Sequence, residues 1–336
     1  MSGYLTTDGV DLNEVYYNTV VPSISRYNNY DFFPFRETLC SDGDESYIKF
    51  PLDRITFDSL GEAEVPSAKK LKWGRFIGTT SKTGAAFGYT MDFLKDASSR
   101  MINDVQAEIY AADRNAVMNK VLNVCLDSAS SDGFYNTYFD SESDMKAYSN
   151  VGAPPAYGQN TFTAAHTHYV PLNSTSIALT DITSAKHHIA EHGSPSKLVA
   201  FINSEQVEVF ENLAGWNYST TATYLIPNPI TDKTAIDGFQ TRWLGIDFFQ
   251  TEAIPAGYVL IVDVGTGGGY DKPVKFIEPK NASFRGLQLL PGNAIKDYPI
   301  IESYFLRWMG AKVWKRAAGI VLQAKSGTTY SAPTLA

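Results

Sequence analysis

The chain has 336 residues, 44% hydrophobic, 13% aromatic and only 19% charged, a composition that excludes disorder, collagen and coiled coil. Its 28 Lys and Arg stand against 36 Asp and Glu, and the net charge of -8 argues against a protein whose main task is gripping phosphates. With Cys40 and Cys125 as its 2 cysteines, it can build neither a disulfide framework nor a cysteine-ligated zinc site.

The N-terminus, Met1 to Thr7, has no basic or apolar signal-peptide region, and no apolar run is long enough to span a bilayer. Without a signal peptide the sequons at Asn173, Asn217 and Asn281 read as coincidence. Residues 1–45 sustain neither helical nor strand periodicity and read as an extended arm, whose aromatics, Phe32, Phe33 and Phe35 among them, need a surface to lie against. From Tyr47 to Phe57 and again from Trp73 to Thr80 the pattern is β, which predicts a long two-stranded hairpin.

A 3.6-residue period through Leu94, Ala97, Met101, Val105, Ile109, Ala112, Ala116 and Leu122 predicts one amphipathic helix over 91–126, capped by Thr90. At 1.5 Å per residue it would reach roughly 50 Å, long for a globular enzyme. Residues 128–175, rich in Ser, Asp, Gly, Tyr and Asn, read as an insertion of loops and short strands. A short helix follows over 181–192 with the stripe Ile182, Ala185, Ile189, stopped by Gly193 and Pro195. Leu198 to Ile202 is then a buried strand, and a helix capped by Ser204 runs to Leu213. Strands are expected at 243–249, 256–263, 274–277, 300–314 and 318–324, with a Gly-rich turn at 265–269.

All 5 histidines lie between His166 and His192, and His188-Ile-Ala-Glu-His192 matches the inverted zincin pattern, in which two histidines hold zinc and the glutamate activates water. The helix stops at once after His192, and no spacing selects a third ligand among Glu205, Glu208 and Glu211. The favoured reading is therefore a short helix with structural histidines and no metal or cofactor, with His188 and His192 as the runner-up zinc site. Gly265 to Gly269 lacks dinucleotide-loop spacing, and no nucleophile elbow is present. The basic clusters Lys69, Lys70, Lys72, Arg75 and Arg307, Lys312, Lys315, Arg316 read as solvated or salt-bridged faces.

The order of these parts, the stretch from Ser184 to Ser204 and the stretch from Trp243 to Asp263 together resemble tailed-bacteriophage major capsid proteins of the Hong Kong 97 phage fold. The resemblance implies an α+β fold divided into an N-terminal arm (1–45), an E-loop hairpin (46–90) and a peripheral domain (91–195) with spine helix (91–126) and insertion (128–175). An axial domain (196–292), strands returning to the peripheral domain (293–325) and a C-terminal tail (326–336) complete it. It implies a structural, non-enzymatic protein that assembles in the host cytoplasm into pentamers and hexamers of an icosahedral virion shell, without a cofactor. The shell would enclose double-stranded DNA without sequence-specific binding. Implied partners are other copies of the chain, a portal and a scaffolding protein, with room for decoration proteins. Many family members begin with a cleaved scaffolding segment, whereas this chain opens on the arm. That departure implies either a separate scaffolding protein or a mature form.

Candidates for contacts between subunits are Phe32, Phe33 and Phe35 on the arm, and Tyr47, Phe57, Trp73, Arg75 and Phe76 on the hairpin. The alternatives are an encapsulin-like compartment and, in another class, a zinc hydrolase using His188, Glu191 and His192.

Overall fold

The structure is a computed structural model, and it describes residues 7–9, 20–29, 34–45, 47–51, 73–90, 93, 96–129, 160–163, 166–216, 239–265, 272–290 and 300–335. It is built on two sheets with helix α3 (Ser99–Leu126, 28 residues) between them in the core. The six-stranded sheet has the order β5 (Tyr169–Pro171), β13 (Gly319–Gln323), β9 (Tyr258–Asp263), β6 (Leu198–Ile202), β8 (Ile246–Gln250), β7 (Phe239–Trp243). All five residues of β6 are buried, because both faces of this strand are covered. Leu198, Ala200 and Ile202 join the cluster that includes Ile182, Ala185 and Ile189 of α4 (Leu179–Ala190) and Phe210 of α5 (Ser204–Glu211). Val199 and Phe201 point the other way, into the cluster that holds Val117, Val121 and Cys125 of α3. A strand covered on both faces reads as an unbroken apolar run, as this one does.

The second sheet is organised around β12 (Ile300–Val313). One edge of β12 pairs antiparallel with β4 (Ser81–Thr90), from Ile300 opposite Thr90 to Met309 opposite Ser81. β12 also pairs antiparallel with β11 (Gln288–Leu290) and with β10 (Val274–Glu278), and β10 pairs in parallel with β1 (Cys40–Asp44). Gly310 lies so close to the Thr79 carbonyl that a Cβ there would fall 2.0 Å from its oxygen. Apart from both sheets, β2 (Tyr47–Pro51) and β3 (Trp73–Ile77) form an antiparallel ladder of their own. Residues 293–325, grouped together by the sequence, divide between the sheets: β12 joins the five-stranded one and β13 the six-stranded one. β10, grouped with 196–292, lies in the five-stranded sheet.

Several expectations need correction. The segment 1–45 is not without regular structure: it carries α1 (Val21–Asn29), α2 (Pro34–Leu39) and β1. These pieces are too short for periodicity to reveal them, and tertiary packing holds them, with Val20 and Ile24 buried against Leu287 and Phe305. The long helix begins at Ser99 and not at Met91. Thr90 does accept a hydrogen bond from the Phe93 N–H at 3.1 Å, but Ser98 is extended and breaks the helical run. The start of α3 is capped instead by Asp8, whose carboxylate accepts the Ser99 N–H at 3.2 Å. The face of α3 is also displaced, since Met101 is 45% exposed while Ile102, Gln106, Asp113 and Val117 are buried. Two polar residues occupy that inner face, so hydrophobicity alone pointed to the neighbouring stripe.

Asn203, not Ser204, caps α5, its side chain accepting the Glu205 N–H at 2.9 Å. The single strand expected over 243–249 is a hairpin, turned at Leu244 (φ 54) and Gly245 (φ 78). Two successive positive φ values give the primed turn whose twist matches its flanking strands. The expected turn at 265–269 lies outside the described residues beyond Gly265. The basic residues near the C-terminus are not on a face: Arg307, Lys312 and Arg316 are 4%, 8% and 6% exposed.

Candidate assembly elements and a histidine cluster

A polar seam joins the N-terminal segment to the core. Arg307 donates from Nε to both oxygens of Asp113, at 2.9 and 3.1 Å, and its Nη2 lies 2.9 Å from Oδ2. The Tyr27 hydroxyl donates to the same carboxylate at 2.9 Å, and its ring stacks on Tyr110 with centroids 4.6 Å apart. Burial and the Asp113 charge together push the Tyr27 phenol far above its usual range. Gln106 donates to Ser23 Oγ at 2.7 Å and to the Tyr110 hydroxyl at 2.6 Å. Arg36 pairs with Asp42 at 2.7 Å, and its guanidinium sits 4.4 Å above the Phe276 ring. Buried polar groups at this density need partners, and Tyr27, Gln106, Asp113 and Arg307 find theirs in one another and in Ser23 and Tyr110. The seam fixes where α1 and α2 lie against α3, β10 and β12.

Of the candidate contact residues, Phe32, Phe33 and Phe57 lie outside the described residues. Phe35 falls in α2, Tyr47 in β2, and Trp73, Arg75 and Phe76 in β3. The register sets Tyr47 opposite Ile77, Phe76 opposite Ile48, Arg75 opposite Lys49 and Trp73 opposite Pro51. Among the described residues this ladder pairs with no further strand. A two-stranded ladder is marginal in water on its own and gains stability when something packs on it.

The second feature is a cluster of imidazoles between the entry to β5 and the end of α4. His166 and His168 stand two residues apart just before β5, and His188 lies in the last turn of α4. His192 follows the C-cap Glu191, so His188 and His192 do not share one helix as the inverted zincin pattern requires. The Nε2 atoms of His166, His168 and His192 form a triangle with sides of 3.1, 2.8 and 3.0 Å. His188 stacks on His166, with centroids 4.5 Å apart and planes within 2°. Phe162 covers the outside, 4.2 Å from the His192 ring.

Burial, with the neighbouring imidazoles, drives the His166 pKa down to about 4 and that of His192 to about 3. His168, wholly buried, is driven well below its usual value, and His188 is lowered too. These rings are neutral at pH 7. Glu191 is exposed, and Glu205, Glu208 and Glu211 are not among the groups that converge on the cluster. His187 is exposed and stands apart. The sequence reading placed all the histidines in one window but missed that His166 and His168 join His188 and His192. The His-x-His spacing close to the other histidines was the available signal.

The arrangement is a tailed-phage capsid-like fold. A chain solved from Mycobacterium phage Patience superposes with a TM-score of 0.69 at 22% identity, covering 98% of this chain and 92% of that chain. The capsid of an empty GTA particle gives a TM-score of 0.50 at 11% identity, over 87% of this chain and 89% of that one. The SrpI encapsulin complex from Synechococcus elongatus gives 0.48 at 11% identity, covering 89% of each chain. No protein-family model and no curated protein sequence matches the chain. Among the described residues no helix is long and apolar enough to cross a membrane.

Proposed function

We propose that this chain is a structural capsid protein, many copies of which close into an icosahedral shell of pentamers and hexamers around double-stranded DNA. The observation that carries the reading is a capsid-like fold over nearly the whole chain, from which the β2–β3 ladder stands apart with no partner strand among the described residues. In this reading residues 1–45 are the arm, 46–90 the E-loop, α3 the spine helix, and α4 with the six-stranded sheet the lobes beside it. The ladder and the arm cover a neighbouring subunit, with Phe32, Phe33, Phe35, Tyr47, Phe57, Trp73, Arg75 and Phe76 as contact residues. Subunits that clasp each other in this way close by symmetry. The net charge of -8 suits a wall that confines DNA without gripping it. No catalytic role is required, and a scaffolding protein and a portal are the partners of assembly.

Size-exclusion chromatography with light scattering, followed by negative-stain imaging, tests the reading. Shells or capsomers are expected. Trp73→Ala is expected to keep the far-UV circular dichroism while shifting the population towards capsomers or monomers. Loss of fold in that variant would place Trp73 in the subunit's own core. Shells that carry protein cargo and no nucleic acid would favour the encapsulin-like compartment.

A further inference from the structure

We propose that His166, His168, His188 and His192 form a structural binding site for a divalent transition metal of the zinc type. The inference is independent of the shell reading, because it rests on proton bookkeeping within the cluster. The Nδ1 of His168 lies 2.6 Å from the Gly319 carbonyl oxygen, which can only accept. His168 therefore carries its proton on Nδ1 and presents a bare Nε2 lone pair to His166 and His192.

Protons alone cannot satisfy the triangle. A neutral imidazole Nε2 is either a donor or an acceptor. If His166 and His192 both donate to His168, their own contact at 2.8 Å is donor against donor. If only one donates, the remaining contact sets lone pair against lone pair. A cation at the centre accepts all three lone pairs at once. His188 repeats the preparation: it hydrogen-bonds to the Thr167 backbone, and its Nε2 is buried with no hydrogen-bond partner. A ligating nitrogen of His188 lies within 4.8 Å of those of His166 and His168.

Backbone carbonyls that hold the far nitrogen and leave Nε2 bare are the usual outer shell of a metal-binding histidine. Nitrogen–zinc bonds of about 2.0–2.1 Å in a tetrahedron separate the nitrogens by about 3.3 Å, so binding asks for shifts of a few tenths of an ångström in the triangle. An all-imidazole set suits zinc over magnesium or calcium, which prefer oxygen. Phe162 and the wholly buried His168 close the site, and exposed Glu191 is not among the ligating groups that converge there, so the metal would be a staple and not a hydrolytic centre. It would tie the entry to β5, an edge strand of the six-stranded sheet, to the end of α4.

The test uses the full chain, stripped with chelator and titrated with Zn2+, with Mg2+ as the control. Expected are about one tightly held zinc ion per chain and a melting temperature raised by about 5 °C or more, with no response to Mg2+. His166→Gln and His192→Gln, both at half-buried positions, should lose the ion and the shift while keeping the far-UV spectrum. Glu191→Gln should retain both. A folded wild-type chain that takes up less than about a tenth of an ion, or a His166→Gln/His192→Gln double variant that binds zinc as wild type does, overturns the proposal.

Discussion

Arg307 and Asp113, 194 residues apart in the chain, meet in the interior through paired hydrogen bonds, with side-chain exposures of 4% and 7%. The pair joins the middle of β12 to the middle of α3. Tyr27 and Glu278 complete it, the latter 3.7 Å from the Arg307 Nη1. Helix, sheet and N-terminal segment are thus held in one register around one ion pair.

Removing one partner should be costly. Asp113→Ala leaves a buried guanidinium without its carboxylate, and the expected loss is about 3–5 kcal/mol, whereas replacing both partners by apolar residues of similar volume should cost much less. Thermal melts of Asp113→Ala and of Asp113→Leu/Arg307→Met check this. A single variant no less stable than the double variant would contradict the pairing.

Asp8 reaches across the chain to cap the first turn of α3. Asp8→Ala should lower stability by about 1 kcal/mol, and Asp8→Asn by less, because an amide oxygen can still accept the Ser99 N–H. Hydrogen exchange should quicken at Ser99 while the middle of the helix stays protected.

The turn between β7 and β8 places Leu244, 36% exposed, at φ 54. A branched side chain pays about 1–2 kcal/mol in the left-handed region, and asparagine tolerates it far better. Leu244→Asn should therefore raise the melting temperature, whereas Leu244→Val should lower it.

Gly310→Ala would bring a methyl group 2.0 Å from the Thr79 carbonyl oxygen, which belongs to the backbone and cannot turn aside. The variant is expected to fail to fold or to accumulate in the insoluble fraction. Gly43→Ala, whose added carbon would meet nothing nearer than 3.6 Å, is the control and should stay within about 1 kcal/mol of wild type.

Both thiols should be silent in the native state. Cys40 and Cys125 are buried, and burial pushes the Cys125 thiol up to about 12 and Cys40 further. A thiol reagent at pH 8 should react only as fast as the chain opens, and at full speed in denaturant. The unfolded thiols ionise near pH 8.5 while the folded ones keep their protons, so stability is intact below that pH and falls as the pH rises above it. Prompt labelling of either cysteine in the folded protein would rule this out.

Much of the chain was legible beforehand, and the reason is visible in α4 and β6. Their buried residues, Ile182, Ala185, Ile189 and the run from Leu198 to Ile202, meet apolar neighbours, so the hydrophobic period reports burial directly. The paired β-like segments at 47 and 73 and the end of α4 before Gly193 were equally local matters. α3 shows the opposite case. Its inner face includes Gln106 and Asp113, which look like surface residues until Tyr110, Ser23 and Arg307 are brought to them.

What the sequence determined by itself was therefore α4, β6, the paired segments at 47 and 73 and the order that resembles a capsid protein, since those follow from side-chain periodicity and backbone preference over a few residues. Tertiary structure alone decided which sheet received β10, β12 and β13, which face of α3 turned inward, and that His166 and His168 would meet His188 and His192. Those outcomes depend on hydrogen bonds and lone pairs matched between residues far apart in the chain. A buried polar side chain carries no local mark of the partner that makes its burial possible.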